Sequence, residues 1–133
     1  YDIDALGLSS YPVFAFDDPS EIPADYFDAF DAATDLPLLF VERGWSSEDV
    51  PWSSGTPAQQ VAFFQHYERL LDAVNAEVWV MLTFADLDIA SFGLDAGATA
   101  GLSNFAFMGI VAPDLKRKPS YEEWERIFAR PRN

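Results

Sequence analysis

The chain holds 133 residues, half of them hydrophobic, and sets 22 Asp and Glu against 8 Lys and Arg for a formal net charge of −14. So much apolar surface, with 12 Phe, 5 Tyr and 4 Trp, excludes a disordered tail, and the length favours one core over two. The lack of cysteine excludes a disulfide framework, a thiolate metal site and a thiol nucleophile.

Taken in chain order, residues 3–11 read as a strand closed by Pro12, followed by a loop over 13–22. Residues 23–34 read as a short helix. Pro23 suits the first helical position, and Tyr26, Phe27 and Phe30 share one face. Leu38-Leu39-Phe40-Val41 is a continuous apolar run, the pattern of a parallel strand buried on both faces. A Ser-rich loop from Glu42 to Gly55 carries Trp45 and Trp52. A helix then starts at Thr56-Pro57-Ala58-Gln59, a capping box with proline in the first turn. Its expected apolar stripe is Val61, Phe64, Tyr67, Leu70, Leu71 and Val74, with Gln60, His66, Arg69 and Asp72 mostly off it. Residues 77–84 read as a third strand, 85–105 as a long loop with room for short local structure, and Phe107 to Val111 as a short extra strand. Ser120 with Glu123 is a second capping box, opening a helix that buries Tyr121, Trp124, Ile127 and Phe128 and ends at Pro131.

Strands alternating with helices predict an α/β protein with a parallel sheet. No linker divides residues 1–133, and no repeat is visible. Scarce cations make nucleic acid and anionic membranes unexpected partners. The acid excess reads as a solubilising surface or as adaptation to salt. No apolar run approaches the roughly 20 residues that span a bilayer. No basic segment leads into an apolar one, so no signal peptide is visible. Starting at Tyr1 rather than Met, the chain reads as a processed product or a fragment.

Glu42 is the most informative residue, because it follows an apolar strand directly. In α/β barrels the active site lies at that end of the strands. A carboxylate there is either catalytic or held in a strand-end ion pair, with Arg43 the nearest partner. Tyr11 closes the first strand, and Asp86 follows the third. If the strands are neighbours, Tyr11, Glu42 and Asp86 line one rim. A phenol beside a carboxylate donates to its charged form. Asp86 reads as a second acid, a binder of substrate hydroxyls, or a loop cap. Trp45 and Trp52 suit the apolar faces of sugars, or else pack over the rim. Trp79 and Trp124 read as core. His66 is the only histidine, so His-based metal or triad chemistry is not expected. Nor are cofactors or metals, because the acids lack an EF-hand pattern and there is no phosphate-binding glycine loop.

Three segments carry a family resemblance. Asp4-Ala5-Leu6-Gly7-Leu8-Ser9-Ser10-Tyr11-Pro12 looks like the sixth strand of a (β/α)₈-barrel retaining glycoside hydrolase. Leu38 to Ser47, with Glu42 before Arg43-Gly44-Trp45, looks like the seventh. Lys118-Pro119-Ser120-Tyr121-Glu122-Glu123-Trp124 looks like the opening of the last helix. The chain thus resembles the C-terminal half of such an enzyme, nearest to endo-β-1,4-galactanases and related β-glycanases. The implied fold is a partial TIM barrel, about the last three βα units (strands 6–8). The implied activity is hydrolysis of β-linked glycans by double displacement. Glu42 takes the place of the family's nucleophile and Tyr11 that of a tyrosine near it. Trp45, Trp52 and Asp86 then become substrate-binding candidates. Where relatives often place a Trp after the eighth strand, this chain has Phe84. The family's general acid, a Glu after the fourth strand, has no counterpart. The chain is therefore expected to be inactive alone and to need the missing barrel half or self-association. The alternative is a non-catalytic carbohydrate-binding or half-barrel interaction module. An extracellular or periplasmic location follows only by analogy with polysaccharide-degrading enzymes.

Overall fold

The apolar run after Pro37 sets the centre of the fold. In the computed structural model, which describes residues 2–131, it becomes the middle strand of a three-stranded parallel sheet. The strands β1 (Leu6–Ser10), β2 (Leu38–Arg43) and β3 (Val78–Trp79) lie in the order β1-β2-β3. Leu6 pairs with Leu38 and Leu8 with Phe40. An irregularity between Leu8 and Ser9 then sets Ser9 opposite Glu42 and Ser10 opposite Arg43. The third strand is shorter than expected, but the ladder continues beyond it. Val80 N–H donates to the Phe40 carbonyl at 2.7 Å and Leu82 N–H to that of Arg43 at 2.9 Å.

Helix α2 (Pro57–Ala73) covers one face of this sheet. Thr56 accepts from the Gln59 N–H at 3.1 Å, so the cap forms as its sequence predicts. The buried stripe lies slightly around the helix from the expected one, on Gln60, Phe63, Phe64, Tyr67, Leu70 and Leu71. Phe27, Phe40, Phe63 and Tyr67 interlock edge to face or tilted at 4.5–6.2 Å between centroids. Each such ring contributes roughly 1.5–3 kcal/mol by burial. A second core joins Phe64, Ile110, Val111 and Ile127 beneath α4 (Ser120–Phe128).

Gln60 corrects the sequence reading, which set it off the stripe. It is fully buried. Its amide donates to the carbonyls of Trp45 (2.9 Å), Gly109 (3.1 Å) and Phe107 (3.3 Å), and its oxygen accepts from the Ser120 hydroxyl at 2.7 Å. One polar side chain therefore ties together the loop after β2, the 107–109 segment and the start of α4. Ser120 serves that bond instead of capping its own helix. Pro119 occupies the cap position, and Glu123 pairs with Arg126 and Gln65.

Other local expectations also change. Over residues 23–34 only α1 (Asp28–Asp31) forms, and Phe30 is exposed. The segment after β3 holds α3 (Ala96–Ser103), capped by Asp95, where a loop was expected. Val111 makes isolated bridges to Ala85 and Arg117 in place of an extra strand. Val41 is 45% exposed, so the run through β2 is buried on one face and not both. A strand alternates its side chains, and α2 lies on one side only. Val41, Val78 and Val80 therefore form an open apolar face opposite α2. Among the described residues no helix is long and apolar enough to cross a membrane.

Candidate active site

Parallel pairing brings the carboxyl ends of β1 and β2 to one rim. Glu42 is half-buried there, and Tyr11 follows Ser10 one residue beyond the paired strand. Burial, and then the charge and acceptor oxygens of Glu42, hold the Tyr11 phenol well above its usual range. The phenol therefore stays protonated beside the carboxylate. Among the described residues Glu42 belongs to no ion pair. The strand-end alternative with Arg43 is not formed: the register shift, which leaves Val41 without a partner, turns Arg43 to the helix side, where its guanidinium meets Tyr67 and Trp79.

Arg43 lies on the helix side, fully buried. Its guanidinium carbon sits 3.5 Å from the Trp79 ring centroid and 5.2 Å from that of Tyr67. None of its three side-chain nitrogens finds a hydrogen-bond partner among the described residues. Desolvation pushes its pKa down to about 9.

An aromatic shelf extends from Tyr11. Its ring meets Phe105 at 5.2 Å and Phe14 at 5.9 Å, and Phe14 in turn meets Trp52 at 5.8 Å. Trp52 is 67% exposed. The Trp52 backbone N–H donates to Oδ1 of the buried Asn104 at 2.9 Å, which fixes the loop against the end of α3. Phe14 and Phe105 were not singled out from sequence. One follows a turn and the other a small-residue helix, so neither carries a periodic signal.

Trp45 departs from its sugar-stacking expectation. It is fully buried, 5.6 Å from Phe63, with its carbonyl held by Gln60. A ring enclosed on all sides offers no face to a solute, so Trp45 packs beneath the rim. Asp86 is also withdrawn, at 8% exposure. Lys118 Nζ reaches its two oxygens at 2.7 and 3.0 Å, and the Gly109 N–H donates to it at 2.9 Å. Burial pushes the Asp86 carboxyl up and the Lys118 ammonium down, and their contact opposes both shifts. Gly109 is required there, since a Cβ would lie 2.4 Å from the backbone of Ala85 and Asp86. This carboxylate braces the loop after β3 and is not free to bind a hydroxyl. Phe84, just before it, is exposed. Among the described residues no three His, Asp or Glu side chains gather as a metal site.

No family model matches the chain, and no curated protein matches it. Solved structures do. A glycoside hydrolase family 17 β-1,3-glucanosyltransferase from Rhizomucor miehei superposes with a TM-score of 0.62 at 17% identity, over 89% of this chain and 42% of that one. An active-site mutant of the Rhizomucor enzyme, in complex with laminaritriose, gives 0.59 at 16% identity over the same shares. A Ruminococcus gnavus β-glucuronidase in complex with uronic isofagomine gives 0.67 at 17% identity, over 98% of this chain and 23% of that one. The chain shares its fold with part of each of these structures. The chain spans less than half the length of these structures. The shared fold accounts for the small parallel sheet, its one-sided helix layer and the rim on which Glu42 stands.

Proposed function

We propose that residues 1–133 form the C-terminal part of a glycoside-hydrolase-like (β/α)₈ barrel, about strands 6–8, acting on β-linked glycans by retention. Glu42 is the nucleophile, Tyr11 orients it, and Trp52 with Phe14 and Phe105 stacks the sugar. The observation that carries this reading is the half-buried Glu42, at the carboxyl end of a parallel strand, facing a protonated phenol beside an exposed aromatic shelf. The likeness of the β1, β2 and α4 segments to β-glycanases, nearest to endo-β-1,4-galactanases, supports it. So does the β-glycoside chemistry named for the structural neighbours. By analogy with enzymes that degrade polysaccharides, an extracellular or periplasmic location is proposed.

A retaining enzyme needs two carboxyl groups about 5–5.5 Å apart, one to attack the anomeric carbon and one to protonate the leaving oxygen. Glu42 meets the first requirement. Asp86, the sequence candidate for a second acid, is engaged by Lys118, so the general acid comes from outside this chain. The chain alone binds glycan without hydrolysing natural substrates. A second reading, a half-barrel that pairs with the missing barrel half or with itself, is favoured by the open face of Val41, Val78 and Val80. Unpaired sheet edges favour such closure.

Titration of the chain with β-linked trisaccharides, followed by NMR, tests the glycan reading. Shifts are expected on Trp52 and Tyr11. Trp52→Ala is expected to weaken binding about tenfold, as loss of an exposed aromatic anchor does. Binding that is indifferent to Trp52 would remove the shelf from the site.

A further inference from the structure

Arg43 carries a full charge into the space between the sheet and α2 without a counter-charge. It is fully buried, and no carboxylate among the described residues pairs with it. Trp79 covers one face of the guanidinium, with Cζ 3.5 Å from the ring centroid. Stacking occupies a face and leaves the N–H groups, which radiate in the plane of the group. All three side-chain nitrogens are buried with no acceptor among the described residues. Buried polar groups are nearly always hydrogen-bonded, and a buried charge without compensation is the most costly exception.

Other donors gather at the same place. The Tyr67 ring centroid lies 5.2 Å from Cζ of Arg43, and the Tyr67 hydroxyl is also buried without a partner. Ser10 stands opposite Arg43 in the β1–β2 ladder and is buried as well. A guanidinium and two hydroxyls thus meet where the described residues supply no anion. We infer that a small monovalent anion, chloride above all, binds beside Arg43 between the sheet and α2, held by the guanidinium and the hydroxyls of Tyr67 and Ser10. A water molecule accepts from the N–H groups but leaves the charge uncompensated. A halide does both, and as a sphere it asks only that donors converge on it. A polyatomic anion is too large to enter without displacing the rings of Tyr67 and Trp79. The ion acts as the counter-charge that the sequence omits, so it locks the ends of β1 and β2 to the helix layer.

Urea unfolding of the 133-residue chain in sodium chloride and in sodium gluconate, at equal ionic strength, tests the inference. Equal ionic strength matches the screening of the −14 net charge between the two salts. The ratio of folded to unfolded chain is expected to be about tenfold higher in chloride, once chloride reaches about ten times its dissociation constant. Bromide should act as chloride does. Tyr67→Phe keeps the ring and removes the hydroxyl, so it should shrink the chloride effect severalfold. Arg43→Met should abolish it, and its advantage over the parent chain should be larger in gluconate than in chloride. Anomalous diffraction from crystals grown in bromide should show a peak beside Arg43. Equal stability of the parent chain in the two salts would overturn the inference. So would a chloride effect that survives in Arg43→Met, or water alone beside Arg43 in the bromide crystals.

Discussion

Replacing Glu42 with Gln is expected to lower kcat on a β-glycan by about a thousandfold or more in the full-length protein, with KM little changed. The amide keeps the shape of the carboxylate and an acceptor for the Tyr11 phenol, but it cannot attack the anomeric carbon. The folding cost should be small, because Glu42 is half-buried and makes no ion pair among the described residues. Thermal unfolding should therefore shift little while turnover collapses. Loss at Trp52 should have the other signature, a raised KM with a smaller change in kcat, because the indole contacts sugar and not the reacting atoms. Undiminished turnover by Glu42→Gln would remove Glu42 from the chemistry.

Arg43→Met is expected to stabilise the chain by about 1–3 kcal/mol near neutral pH. A fully buried guanidinium with no acceptor among the described residues keeps its desolvation cost. Stacking on Trp79 offsets roughly 0.5–2 kcal/mol of that. Methionine fills a similar volume and has nothing to desolvate. The pH dependence gives a second check. The folded-state pKa is pushed down from 12.5 to about 9, so below pH 9 both folded and unfolded chains carry the charge and the penalty is complete. Between those values the unfolded chain binds more protons, and stability gained by the native state rises with pH. The advantage of Arg43→Met should thus be constant below pH 9 and shrink above it. Burial raises the phenols of Tyr11 and Tyr67, the latter to about 12. Their contribution is present below pH 10 and lost above it, more so in Arg43→Met, because the Arg43 charge holds the Tyr67 phenol lower. Denaturant unfolding at pH 7 and pH 10 measures the difference. A destabilised Arg43→Met would mean that the guanidinium has an acceptor.

Some of this was legible in the sequence for physical reasons. The strand at 38–43 and the helix at 57–73 carry strong local signals, a bounded apolar run and a capped amphipathic pattern. Their alternation with β1 and β3 was enough for a parallel α/β sheet and for placing Glu42 at its rim. Trp45 and Trp52 show where local reading stops. They lie in one loop and share one side chain, yet the first is enclosed and the second exposed. Long-range contacts decide between them, from Phe63 and the Gln60 amide on one side and Asn104 on the other. Gln60 was misplaced because a polar side chain inside an apolar stripe is explained only by the three carbonyls it serves. Helix α3 was missed because none of its residues is buried, so no apolar stripe marks it. Phe14 and Phe105 meet through tertiary packing at 5.6 Å, which no local pattern encodes.

The central claim is that Glu42 attacks the anomeric carbon, and covalent trapping tests it most directly. In a 2-fluoro β-glycoside with a dinitrophenolate leaving group, departure needs no protonation, so the missing general acid is bypassed. The fluorine slows the second displacement, and the glycosyl ester accumulates. The chain is expected to gain the mass of one fluoroglycosyl unit, on the peptide carrying Glu42, and Glu42→Gln is expected to gain none. A label on a different carboxylate, or an unlabelled Glu42 under conditions where NMR shows the sugar bound on Trp52, would contradict the account.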